Sequence, residues 1–160
     1  MSRRTTVPEQ PSRPISVGTC IIYGCGAGLL GVATMTVAEK IEQFFTGRPS
    51  SYVPGHTLER LLSLPEKPDK ERFGLNMAMH YGQGAAAGII RAFMSVNGFR
   101  RPFSDFMFIS VRLLIDQTLE NWTGVGAAPW TWPVNEQIID LFNKAVYAFA
   151  TGYLTDRWLQ

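Results

Sequence analysis

Two distant stretches of the chain read almost alike, Glu-Gln-Phe-Phe-Thr-Gly at residues 42–47 and Glu-Asn-Trp-Thr-Gly at residues 120–124. Each stretch follows a mostly apolar segment that ends in carboxylates. Each is followed by an aromatic residue and a proline, in Tyr-Val-Pro at 52–54 and in Trp-Thr-Trp-Pro at 130–133. Similarity at this spacing predicts two helix–loop–helix units, each about half of the chain.

A second similarity supports this internal repeat. Tyr-Gly-Gln-Gly at residues 81–84 corresponds to Tyr-Ala-Phe-Ala at residues 147–150, and a glycine follows in both halves. We therefore predict one helix-hairpin repeat over residues 15–99 and another over residues 102–158.

The hydropathy pattern predicts an all-α fold with four long helices, at residues 15–45, 75–96, 104–122 and 136–158. Residues 14–38 carry no charge, and about 20 apolar residues suffice to cross a bilayer as a helix. We therefore expect a four-helix transmembrane bundle over residues 15–160, in a multi-pass membrane protein whose main partner is the lipid bilayer. Residues 1–14 contain three prolines and little that is apolar, which predicts a disordered tail.

A shorter amphipathic helix is predicted between the first two long helices, at residues 57–64. Its three leucines would share one face, with Glu59 and Arg60 on the opposite face. This arrangement is typical of a helix that lies on a membrane surface. The corresponding segment of the second repeat, residues 135–142, is expected to continue directly into the fourth long helix.

Small residues four apart predict where helices approach closely. Gly24 and Gly28 have this spacing in the first long helix, and Gly84 and Gly88 have it in the second. In lipid, such faces allow two helix backbones to touch. We expect the first long helix to pack on the second there, and the same faces are candidates for contact with a second copy or a membrane partner.

Each long helix also carries a stripe of polar residues at spacings of three or four, opposite an apolar face. Charged groups within a membrane suggest function unless they are paired or hydrated. The candidates for a polar interior are Glu39, Glu42, His80, Arg112, Asp116, Glu120, Asp140 and Lys144.

Three interpretations of these stripes remain open. They form a pathway for protons or a small solute, in which His80 titrates near neutral pH. Alternatively, they form a structural network of buried ion pairs that fixes the register of the helices. A metal site in the bundle is the third interpretation, but the chain lacks the Glu-x-x-His pair on one helix, so we predict no metal and no cofactor.

Other classes of function find little support. The formal net charge of +2 is too small to suggest a nucleic-acid partner. The chain contains no nucleophile elbow, P-loop or His-Glu-x-x-His sequence. Asn121 begins a glycosylation sequon, but it lies at the predicted end of a membrane helix, so we expect it to stay unmodified.

The segments 28–54 and 124–152 resemble the YagU-like family of small inner-membrane proteins and its fungal relatives. The features that carry the resemblance are Ala-Glu at 38–39, Thr-Gly-Arg-Pro at 46–49 and Pro-Trp at 129–130. The resemblance implies an integral membrane protein of four helices with no established enzymatic activity.

The chain departs from this family at Lys144 and Tyr147, where a His-Tyr-Gly motif is common. The departure weakens any proton role for a histidine in the second repeat. We therefore predict a small integral membrane protein whose polar interior passes protons or a small solute.

Two alternatives remain. One is a membrane-embedded enzyme or accessory protein that acts on a lipophilic metabolite, for example in a fungal biosynthetic pathway, with Glu39, Asp116 or Glu120 as the acid. The other is a soluble four-helix bundle with structural ion pairs.

Overall fold

The computed structural model describes residues 15–159, and this part of the chain is helical without a strand. Its α-helices are α1 (Val17–Thr46), α2 (Val53–Leu61), α3 (Phe73–Val96), α4 (Phe103–Trp122) and α5 (Val134–Trp158). Short 3-10 turns precede α3 and α5, at Asp69–Glu71 and Pro129–Thr131. The all-α prediction is confirmed, and the four long helices begin and end within two residues of the predicted positions. The predicted tail, residues 1–14, lies outside the described residues.

The ends of α1 show why the helix occupies this stretch. The Ser16 hydroxyl accepts a hydrogen bond from the Thr19 amide and caps the first turn. Gly47 ends the helix in the left-handed conformation, with φ of 71°, which a glycine adopts without a steric penalty. The Thr-Gly of the first copied stretch is therefore a helix stop.

The short helix α2 begins earlier than predicted because Pro54 occupies its first turn, where a proline is well tolerated. Its predicted polar face is also wrong in part. Glu59 is 1% exposed, and its carboxylate accepts a hydrogen bond of 2.8 Å from the buried Arg72 guanidinium. Asn76 accepts a further hydrogen bond of 2.8 Å from the Gly55 amide. These bonds hold α2 against the start of α3 through polar groups rather than through its leucines.

The predicted glycine faces meet each other within the chain. A Cβ atom on Gly28 would lie 2.2 Å from the Gly84 carbonyl oxygen, and one on Gly88 would lie 2.3 Å from the Gly24 carbonyl oxygen. Such distances exclude any side chain, so the backbones of α1 and α3 are in direct contact. Because each face covers the other, neither is open to a second molecule in this structure.

The remaining long helices complete one bundle. Helix α5 packs on α1, α3 and α4, and α4 contacts the rest mainly through α5. A compact apolar cluster lies in the middle of the bundle: Val32, Met35, Ala87, Phe108, Ile109, Tyr147 and Ala148. Whether the two halves share a repeated origin stays a prediction.

Among the described helices, only α1 is both long enough and apolar enough by composition to cross a membrane, with a mean hydropathy of 1.7 over its best window. The other long helices do not reach that hydropathy. A membrane helix is therefore supported by composition in α1 alone.

The glycine contact makes a direct prediction for stability. Gly88→Ala should lower the free energy of unfolding by about 1 to 3 kcal/mol, because the new methyl group meets the backbone of α1. Gly82 lies on the same helix, and a Cβ atom there would meet nothing within 4 Å, so Gly82→Ala is the matched control. It should be neutral or stabilise by up to about 1 kcal/mol. Reversible unfolding of the purified protein measures both, and equal effects would contradict the close contact.

Candidate functional site

A cavity of about 670 Å³ opens at one end of the bundle. It is formed by the second half of α1 and of α4, the first half of α3 and of α5, the first turn of α2, and the loops that follow α1 and α4. Because these helix ends meet at the same end of the bundle, side chains from all four long helices face one space. Cavities of this size hold small organic molecules.

Seven of the eight predicted polar residues line this cavity: Glu39, His80, Arg112, Asp116, Glu120, Asp140 and Lys144. Glu42 is the exception. It does not line the cavity, and its carboxylate accepts hydrogen bonds from the Arg48 guanidinium, the shortest of 2.9 Å. This pairing raises the pKa of the Arg48 guanidinium above its usual value.

Asp116 is the centre of the charged network. Its Oδ1 atom lies 2.8 Å from Arg112 Nη1, and its Oδ2 atom lies 3.5 Å from Lys144 Nζ. Lys144 also pairs with Asp140 one turn earlier on α5. The network thus connects α4 to α5, and Arg112, Asp116 and Lys144 are all at least nine-tenths buried.

Tyr147 lies one turn beyond Asn143 and Lys144 on α5, at the boundary between the cavity and the apolar cluster. Its hydroxyl group donates a hydrogen bond of 2.6 Å to the Gly84 carbonyl oxygen, which connects α5 to α3. The Arg112 guanidinium lies over the Tyr147 ring, 5.4 Å from its centroid. Tyr147 belongs to the apolar cluster and does not line the cavity, so the polar lining ends before it.

His80 and Glu39 lie on the walls nearer the opening. A hydrogen bond of 3.2 Å joins His80 Nε2 to the Thr36 hydroxyl oxygen, between α3 and α1. The Glu39 carboxylate accepts a hydrogen bond of 2.9 Å from the Gln43 side-chain amide and lies 3.9 Å from the Arg48 guanidinium. The structure therefore gives each of these groups a neutral or charged partner within the protein.

Sequence reasoning missed a second charged cluster, at the opposite end of the bundle. Arg91 is fully buried there, 3.0 Å from Asp156 and 3.1 Å from Asp105, and it donates a hydrogen bond of 2.9 Å to Ser104. Arg101 binds the other oxygen of Asp105 at 2.6 Å. The two aspartates lie near the start of α4 and the end of α5. An arginine within the apolar run of α3 was the available signal.

Two other predictions concern metal binding and the glycosylation of Asn121. Among residues 15–159, no group of three His, Cys, Asp or Glu side chains is placed to hold a metal ion. Asn121 is exposed at the end of α4, and its modification stays untested.

Searches of protein-family models, curated proteins and solved structures found no match to the chain. The resemblance to the YagU-like family therefore stays a prediction, and any functional argument depends on the site itself.

The central position of Asp116 predicts a large stability effect. Asp116→Asn removes the charge that Arg112 and Lys144 share, so the free energy of unfolding should fall by about 3 kcal/mol. Glu66→Gln is the control, since Glu66 pairs with Arg60 at 3.2 Å on the exposed surface and should contribute less than about 1 kcal/mol. Chemical unfolding measures the free energy of unfolding of both variants. A decrease for Asp116→Asn no larger than for the control would contradict the network.

Proposed function

We propose that the chain is a multi-pass integral membrane protein whose cavity is the entrance of a pathway for protons or small polar solutes. The observation that carries the proposal is the cavity, because α1, α4 and α5 line it with charged groups of both signs and α3 adds the polar side chains of Asn76, His80 and Gln83. The argument for the membrane comes from the distribution of polar and apolar side chains.

Beside its buried apolar cluster, the bundle departs from the distribution common in water-soluble proteins in two respects. Arg91 and Asp105 are fully buried, whereas Ile22 is 72% exposed and Leu114 is 68% exposed. Water-soluble proteins rarely bury charged side chains completely and rarely expose continuous apolar surface. A lipid surrounding accounts for both features, because lipid covers the apolar exterior while the charges pair inside.

The lengths of the helices fit the same proposal. The four long helices have 30, 24, 20 and 25 residues, and about 20 residues cross the hydrocarbon layer. The charged residues of α3, α4 and α5 lower the average hydropathy of these helices, but many of them face the bundle interior. Composition therefore understates how apolar their outward faces are.

The pathway has three parts along the bundle axis. The cavity forms the entrance, the Tyr147 hydrogen bond to Gly84 and the apolar cluster form a barrier, and the Arg91 cluster lies towards the other end. Passage requires that α5 separate from α3 at the Tyr147 contact. On α4 the barrier extends between Asp105 and Arg112, seven residues or about 10 Å along the helix axis.

Flux measurements in proteoliposomes test the proposal. Vesicles that contain the protein should dissipate an imposed pH gradient faster than empty vesicles, as read by an enclosed pH-sensitive dye. Gln83→Trp places a bulky ring in the cavity lining and should slow the dissipation several-fold. Leu114→Trp makes the same change on the outward face of α4 and should leave the rate unchanged.

Two outcomes would count against this function. Equal rates for protein-containing and empty vesicles would contradict passage of protons. Equal slowing by the two tryptophan variants would mean that the flux does not go through the cavity.

A further inference from the structure

Glu120 is one of the carboxylates that line the cavity. Among residues 15–159, no basic side chain forms an ion pair with Glu120, and no side chain donates a hydrogen bond to its carboxylate. Gly126 in the loop after α4 lies against it, since a Cβ atom there would come within 2.9 Å of the carboxylate oxygen. The loop therefore covers one side of the carboxylate and leaves the cavity side open.

The charge balance of the cavity lining also leaves carboxylates without an ion pair. Leaving His80 aside, the lining carries five carboxylates and four basic groups: Glu39, Asp116, Glu120, Glu136 and Asp140 against Lys40, Arg48, Arg112 and Lys144. Arg112 and Lys144 are already shared by Asp116 and Asp140, and Arg48 binds Glu42 outside the cavity. Lys40 donates to Gln43 and Ser50, so Glu120 and Glu136 form no ion pair among residues 15–159. An unpaired carboxylate in a partly buried space is costly, and a bound cation would remove that cost.

A second unsatisfied group lies at the deep end. Arg112 is 3% exposed, and its Nε and Nη1 atoms have no hydrogen-bond acceptor among the described residues. Nη1 lies 2.8 Å from Asp116 Oδ1, but the angles of this ion pair do not suit a hydrogen bond. Both atoms are enclosed by the protein, so a ligand oxygen that reaches this guanidinium from the cavity meets its third nitrogen, Nη2.

We propose that the cavity binds a small organic ammonium compound that carries an oxygen acceptor at its other end. The ammonium group pairs with Glu120, and the oxygen accepts from Arg112. These residues are two helical turns apart on α4, about 12 Å along the axis, so the ligand lies extended along this helix. The inference depends on the proposed function, which requires only a polar solute, and it names the class of that solute.

Aromatic side chains fit the ammonium end. Trp132, Tyr52 and Phe73 all line the cavity. The Trp132 indole donates a hydrogen bond of 2.9 Å to the Ala127 carbonyl oxygen, which fixes the ring in its loop. Aromatic faces attract organic cations, so these rings favour an alkylammonium group over a neutral one.

Three five-carbon probes that differ only in charge test the inference. Aminopentanol, pentanediol and hydroxypentanoate each keep one terminal hydroxyl group, and the other end is cationic, neutral or anionic. Isothermal titration calorimetry on the full-length purified protein should detect the binding of aminopentanol. Pentanediol and hydroxypentanoate should bind with an affinity at least about tenfold lower.

Variants identify the group responsible. Glu120→Gln should lower the affinity for aminopentanol about tenfold or more. Glu120→Asp keeps the charge and should retain part of that affinity. Glu71→Gln changes an exposed carboxylate outside the cavity and should bind as the unmodified protein does. Equal thermal unfolding of the variants checks that they are folded.

The outcomes separate this inference from the proposed function. Tighter binding of hydroxypentanoate, or binding that Glu120→Gln does not change, would overturn the ammonium class. So would the absence of binding by all three probes. If the vesicle flux persists in any of these cases, the pathway remains and only the ligand class is wrong.

Discussion

Charged side chains can lie inside this bundle only because opposite charges from other helices meet them there. Removing a charge from water costs several kcal/mol, and pairing must offset most of that cost. Asp116 on α4 therefore constrains Lys144 on α5, and Arg91 on α3 constrains Asp105 and Asp156. The relative positions of α3, α4 and α5 follow from these pairings, one at each end of the bundle.

The glycine contact fixes the position of α1 against α3. Where Gly24 and Gly28 meet Gly88 and Gly84, the two backbones touch and exclude every side chain. Towards the C-terminal end of α1 the small residues give way to longer ones, and Glu39 lines the cavity. The same pair of helices, α1 and α3, therefore forms both the tight glycine contact and, nearer the C-terminal end of α1, one side of the polar cavity.

Much of this architecture could be predicted from the sequence. The helix ends follow local signals such as Gly47, and the cavity lining follows the three- and four-residue spacing of polar groups, which places them on one face. The partners of Glu59, Arg91 and Glu42 could not be predicted in this way. Each depends on a residue from another segment, and single-helix periodicity says which face a side chain occupies but not what lies opposite.

The proposed function requires that polar groups face inward and that apolar groups face lipid. Spin labels at Leu114 and at Gln83, introduced as single cysteines in a chain with Cys20 and Cys25 replaced, test it in lipid nanodiscs. The account predicts that the Leu114 label is relaxed mainly by oxygen, which concentrates in lipid, and the Gln83 label mainly by a water-soluble nickel complex. Relaxation of the Leu114 label mainly by the nickel complex would contradict it.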